Sequence, residues 1–226
     1  MLDALTDLLL GGHCVGCGAA GRLLCRPCEA SLPDRPHPAW PTPTPAGLVV
    51  PWAATAYEGV VRAMVIGHKE HRLLALRRPL AHLLARTVAA AVDPRGPVVL
   101  VPVPSRPASL RDRGHDPTYS LTAGAASRLR AAGYDALALR MLHTRPGVVD
   151  QAGLDADQRA ANLDGSMACP VASLRRLAAR RPRARIVVCD DVLTTGATAR
   201  EAQRALESVG LRVSAAAAVA ATRRRR

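Results

Sequence analysis

Residues 186–198 read Ile-Val-Val-Cys-Asp-Asp-Val-Leu-Thr-Thr-Gly-Ala-Thr and hold the densest chemistry in the chain. An apolar run ends in two adjacent carboxylates, Asp190 and Asp191. A hydroxyl-rich turn follows, and the pattern then opens a helix. Such a turn and helix start present unpaired backbone N–H groups and the positive end of the helix dipole, which suits a phosphate dianion. Thr194, Thr195 and Thr198 add hydroxyl donors, and Gly196, followed by Ala197, lets the backbone approach closely. Carboxylates do nothing for a phosphate, but they accept hydrogen bonds from two vicinal hydroxyls of a ribose. The combination reads as a cradle for ribose 5-phosphate. Acidic residues at a helix N-cap are the simpler alternative, although capping alone does not call for the whole string.

Cys14, Cys17, Cys25 and Cys28 form two Cys-x-x-Cys pairs separated by seven residues, with Gly16, Gly18 and Gly21 permitting tight turns. Four thiolates are the ligand set of a closed structural Zn²⁺ site, which leaves no position for a reactive water. Two redox dithiols or disulfides are the competing reading. Met1 to Leu10 carries Asp3 and Asp7 in place of a basic leader. The expectation is therefore no export signal, a reducing cytoplasm, and metal binding over disulfides. His13 flanks this set, while Cys169 and Cys189 read as a loop residue and a buried small hydrophobe.

The elements that must position these groups are legible from pattern. Val98 to Val103 and Ile186 to Cys189 are continuous apolar runs, as expected for strands buried on both faces of a parallel sheet. Leu80, Leu83, Leu84, Val88, Ala91 and Val92 give a helical stripe stopped by residues 93–97, and a second helix is expected over Pro117 to Ala131. Short strands are expected within Leu48 to Tyr57, near Ala136 to Leu142, and over Leu211 to Val219. Ala199, Ala202, Leu206 and Val209 mark one more helix face, closed by Gly210. The alternation predicts an α/β domain with an open, mostly parallel sheet, whose ligand crevice lies at the C-terminal ends of the strands. Lys69 is placed in a loop, Gly67 to Arg72, between two helices. Six prolines within Pro33 to Pro45 predict an extended connector. The expected organisation is thus a small zinc-binding module with four cysteine ligands over 1–32, a linker over 33–46, the main domain over 47–222 and an arginine tail over 223–226.

The composition narrows the function classes. Apolar residues make up 49% of the chain but aromatics only 2%, with no Phe, so the core must be Ala, Val and Leu and a base-stacking platform is poorly supplied. The formal charge is +13, and 30 of the 31 basic residues are Arg, with Lys69 the sole lysine. Such charge attracts phosphorylated metabolites, nucleic acid or an acidic partner without specifying one. No apolar run approaches the roughly 20 residues of a membrane-spanning helix, so no membrane insertion is expected.

The 186–198 string is similar to the PRPP-binding (5-phosphoribosyl-1-pyrophosphate) signature of type I phosphoribosyltransferases. The chain more widely resembles the ComF family of predicted phosphoribosyltransferases, some of which serve natural competence. The likeness rests on the paired Cys-x-x-Cys motifs, on Val101-Pro102-Val103-Pro104, on Arg111-Asp112-Arg113-Gly114, and on the spaced Gln151, Leu154, Arg159 and Asn162. The pattern departs after Gly114, where His115, Asp116 and Pro117 replace a Phe-Asn-Gln-like sequence.

The resemblance implies a type I phosphoribosyltransferase fold and displacement of pyrophosphate from C1 of PRPP by a nucleobase or another amine. Asp190 and Asp191 would fix the sugar as the catalytic pair, with Mg²⁺ bridging pyrophosphate and ribose oxygens. Ser105 and Arg106, after a strand end, would grip the leaving group, Arg111 and Arg113 would close over it, and Lys69 would neutralise its charge. Arg159 and Asn162 lie in the long polar stretch 143–166 that could close as a flap. His115 and His143 are acid–base candidates on position alone. A noncatalytic PRPP- or nucleotide-binding accessory in DNA uptake or nucleotide salvage, with a competence-machinery or single-stranded DNA partner, is the alternative. A zinc-dependent nucleic-acid adaptor is disfavoured by the few aromatics and the intact loop.

Overall fold

The computed structural model describes residues 12–33, 35–105, 116–145 and 165–222. Arg106, Arg111, Arg113, His115, Gln151, Leu154, Arg159, Asn162 and the arginine tail lie outside the described residues.

A six-stranded mixed sheet forms the centre, in the order β1-β2-β8-β7-β3-β4. Its members are β1 (His37–Pro38), β2 (Pro51–Ala56), β3 (Val98–Pro102), β4 (Ala136–Ala138), β7 (Arg185–Leu193) and β8 (Val213–Ala221). Every pairing is parallel except β1 with β2. β5 (His143–Thr144) and β6 (Met167–Ala168) make a separate antiparallel pair. The helices are α1 (Arg26–Ala30), α2 (Gly59–Lys69), α3 (Arg77–Ala91), α4 (Pro117–Ala131), α5 (Val171–Arg180) and α6 (Ala197–Glu207). No helix among the described residues is long and apolar enough to cross a membrane.

The alternation of side chains across the sheet decides the layers. Val98 and Leu100 of β3, Val187 and Cys189 of β7, and Ala217 and Val219 of β8 join one core, with Met64 of α2, Leu80 and Leu84 of α3, and Leu121 of α4. Val99 and Val101, with Ile186 and Val188, face the other side, against Ala202, Ala205 and Leu206 of α6 and Leu177 of α5. Strands buried on both faces must be apolar at successive positions, which is why these runs do not alternate in polarity. A core of small residues draws the layers together. A Cβ added at Gly124 of α4 would stand 2.8 Å from the Ala81 methyl of α3.

From β3 the chain crosses through α4 to β4, whereas from β7 it crosses through α6 to β8 on the opposite side. The order therefore reverses between β3 and β7, the place where open α/β sheets hold ligands. β7 also outruns its neighbour. Val103 N–H donates to Cys189 O at 2.9 Å as the last rung, and Asp190 to Leu193 continue beyond it, paired only with β8.

Part of the proline-rich segment is paired with the sheet. His37 and Pro38 pair as an edge strand, where a missing N–H is tolerated, and the chain that follows is bonded to α6. Arg200 donates to Ala46 O at 2.9 Å, and buried Gln203 donates to Gly47 O at 2.9 Å while accepting the Val49 N–H at 3.0 Å. Pro41 and Leu48 then press on Gly196, at 3.0 and 3.1 Å from where a Cβ would be. The Pro41 ring and Leu48 thereby form a wall behind the Gly196 turn, anchored through the carbonyls of Ala46 and Gly47.

Gln203→Ala removes two part-buried hydrogen bonds, to Gly47 O and from the Val49 N–H, so it is expected to cost about 1–2 kcal/mol, at the ordinary net worth of such bonds. The shift of the urea unfolding midpoint at unchanged slope measures it.

Candidate functional site

Asp190 and Asp191 emerge where β3 has ended, at the floor of a cleft of about 470 Å³ that also admits Lys69, Ser105, Thr194 and Thr198. Asp190 Oδ1 accepts the Asp191 N–H at 2.8 Å, and Asp191 Oδ1 accepts the Val192 N–H at 2.9 Å, so backbone donors fix both carboxylates. Asp191 Oδ2 is ion-paired with Lys69 Nζ at 2.7 Å. Burial, and next the charge of Asp191, push the Asp190 carboxyl well above the usual range, with Lys69 pulling it part of the way back.

Lys69 is thus brought to the site, but as the last residue of α2 and not as a loop residue. The dipole of α2 favours a cation at that end. Its partner there is the Asp191 carboxylate.

The turn after β7 opens a helix. Gly196 takes a left-handed φ of 75° and caps α6, whose first residues are Ala197 and Thr198. Thr195 Oγ accepts the Ala197 N–H at 3.4 Å. Thr194 is exposed while Thr195 and Thr198 are half-buried, and Thr194 and Thr198 line the cleft whereas Thr195, Gly196 and Ala197 do not. Ser105 follows β3 and donates to Asp116 Oδ1 at 3.2 Å. That same oxygen accepts the Tyr119 N–H at 3.0 Å, making Asp116 the N-cap of α4. The departure at 115–117 thus acquires a role: Asp116 ties the β3 loop to the helix behind it, with Arg140 3.5 Å from its other oxygen. Tyr57, Val65, Ile66, Glu70 and Thr118 also line the cleft. Sequence reasoning missed them. Tyr57 was findable as the residue just past a strand that ends at the ligand side. His143 is exposed and does not line the cleft.

The four cysteines form a second centre. Cys14 and Cys17 sit on a turn closed by Gly18 N–H to Cys14 O and Cys14 N–H to Ala19 O, both at 2.8 Å. Cys25 caps α1 and Cys28 lies in its first turn. All four sulfurs fall within 4.8 Å of one another, and Cys17 and Cys25 Sγ are 3.5 Å apart. A tetrahedron with 2.3 Å Zn–S bonds needs about 3.8 Å between sulfurs, so the set could hold a zinc ion. Burial raises the Cys14 thiol, but backbone donors from Cys25, Cys17 and Gly16 outweigh it and bring it down to about 6. The neighbouring sulfur of Cys25, and then burial, push Cys28 up to about 12. One thiolate forms readily and the next is opposed, a conflict that a divalent soft cation relieves. His13 lies outside the group. Cys169 and Cys189 are buried in the main core, and burial raises both thiols.

No protein-family model matches the chain, and no curated protein matches it.

Because the folded-state Asp190 carboxyl is raised, its contribution to stability is fully present below the ordinary carboxyl range near pH 4 and is lost as pH rises through the folded value. Asp190→Asn keeps an oxygen for the Asp191 N–H and removes the charge. It is expected to raise the melting temperature by a few degrees at pH 8, with the gain shrinking toward pH 4; calorimetry at several pH values reads it.

Proposed function

We propose that this chain has the type I phosphoribosyltransferase fold and binds PRPP through Asp190, Asp191 and the Thr194–Thr198 turn, transferring phosphoribosyl to a nitrogen acceptor as in the ComF family it resembles. One observation carries the reading. The carboxylate pair, the hydroxyl turn at a helix start, and Ser105 from a different strand open on one cleft at the strand-order reversal. A ligand with vicinal hydroxyls next to a phosphate fits that set.

In this reading the turn N–H groups and Thr hydroxyls hold the 5-phosphate, and Asp190 and Asp191 accept from the ribose hydroxyls. The nitrogen lone pair forms the new bond to C1 as the C1–O bond breaks, pyrophosphate leaves with that electron pair, and the nitrogen then releases its proton. Positive charge that develops at the sugar lies near the carboxylates, which favours the transition state over the ground state. Ser105 sits at the pyrophosphate end, with Arg106, Arg111 and Arg113 assigned there from sequence. Mg²⁺, bound with PRPP, supplies charge neutralisation for the leaving group through hard oxygen donors. The cysteine centre, holding zinc, has a structural part.

Calorimetric titration of the protein with PRPP and Mg²⁺ tests this. Saturable Mg²⁺-dependent binding is expected, with affinity reduced at least about a hundredfold in Asp190→Asn/Asp191→Asn, since two charge-assisted hydrogen-bond acceptors are lost. Absence of binding by the folded protein overturns the reading. Binding without pyrophosphate release for any amine assigns the noncatalytic alternative.

A further inference from the structure

The cysteine turn and the cleft share one helix. A Cβ added at Gly16, between Cys14 and Cys17, would stand 2.9 Å from Cys28 Sγ and 3.0 Å from Val60 Cγ2. Gly16 is therefore wedged between a sulfur of the cysteine centre and α2. Two turns further along, a Cβ at Gly67 would lie 3.7 Å from Val15 Cγ1 and 2.9 Å from Leu76 Cδ1. Val60 and Gly67 are seven residues apart and fall on one face of the helix. Another face presents Val65, Ile66 and Lys69 to the cleft. The helix end is secured by Glu70 N–H to Ile66 O at 2.8 Å and Leu73 N–H to Gly67 O at 3.0 Å. Two residues past Gly67, Lys69 meets Asp191.

We infer that the cysteine module positions Lys69 at the carboxylate pair by bracing α2 through Val15, Gly16, Val60 and Gly67, so that metal at the cysteines and ligand in the cleft are coupled. The cysteine turn is short, and its shape depends on four sulfurs converging on one point. Without that convergence Cys28 and the Gly16 turn have no reason to keep the spacing that accommodates Val60. A helix held at two points two turns apart has a fixed axis and rotation. Released at one of them, it can rotate by a few degrees, and a side chain on its last turn then moves by about an ångström, enough to open a 2.7 Å ion pair. Lys69 is a positioning residue here, acting through Asp191. The effect on ligand affinity rests on the phosphoribosyl reading, whereas the positioning of Lys69 does not.

Lys69 is the sole lysine, so amine acylation read by peptide mass spectrometry reports on one side chain. Acylation needs the ammonium to leave its ion pair and lose a proton. Asp191→Asn sets the rate with that ion pair removed, expected about fivefold above wild type for a partly exposed pair. Val60→Ala, which leaves all four cysteines and zinc content intact, and zinc-stripped wild type are expected to approach that rate. Val60→Thr, which keeps the branched shape, is expected to stay at the wild-type rate. The positioning is overturned if Val60→Ala and zinc-stripped protein label at the wild-type rate while Asp191→Asn labels faster, or if Asp191→Asn itself changes nothing. Should stripping unfold the protein by circular dichroism, Val60→Ala decides alone. A PRPP titration of Val60→Ala with Mg²⁺ is expected to show weakened binding in parallel; PRPP failing to bind wild type, with the labelling pattern as expected, removes the ligand reading and leaves the positioning standing.

Discussion

The site depends on β7 running four residues past the last rung it shares with β3. Within the ladder, a strand in mid-sheet has both faces covered, and a carboxylate there would be stranded among Val and Leu. Beyond the ladder, one flank of the strand is open while β8 still holds the other, so Asp190 and Asp191 keep a rigid backbone and gain a cleft. The cost is electrostatic. Two adjacent carboxylates with limited access to water raise the Asp190 carboxyl, and the Lys69–Asp191 pair moderates that strain. A cluster held in this state has a standing demand for hydrogen-bond donors or cations.

The remaining architecture holds this cluster from three directions. From the front, α2 delivers Lys69. From one side, Asp116 ties the β3 loop to the start of α4 through Ser105. From behind, the proline-rich wall presses on Gly196, fixed by Arg200 and Gln203 of the same helix that the turn initiates. Buried Glu201 adds to this helix by accepting the Met167 N–H at 2.8 Å, which secures the β5–β6 pair to it. A core of Ala, Val and Leu permits such close layers, and their tight packing transmits small displacements without absorbing them.

The cysteine centre belongs to the same arrangement. Its turn abuts α2, and Val15, Leu23 and Leu24 pack on the main core, so the module is continuous with the domain. Four sulfurs set close together are poorly tolerated as thiolates without a cation, and the opposed behaviour of Cys14 and Cys28 expresses that. A metal ion held there and the packing of α2 would draw on one set of contacts.

Much of this was legible in the sequence. Apolar runs at 98–103 and 186–189 specified buried parallel strands, since no other element needs unbroken branched residues between turn signals. The stripes at 80–92 and 199–209 specified helices, and the spacing of the four cysteines specified a cluster that could hold a metal ion, because only a short stretch of chain separates the two pairs. What required the tertiary structure was everything joining residues distant in sequence. The partnership of Lys69 with Asp191, the wall of Pro41 and Leu48 behind Gly196, the bond from Ser105 to Asp116, and the contact of Gly16 with Val60 all depend on which helix crosses which strand. Composition gave the prolines an extended form but could not say what they lie against. Periodicity records which side of an element is buried, not its neighbour, and neighbours are chosen by the global packing of layers.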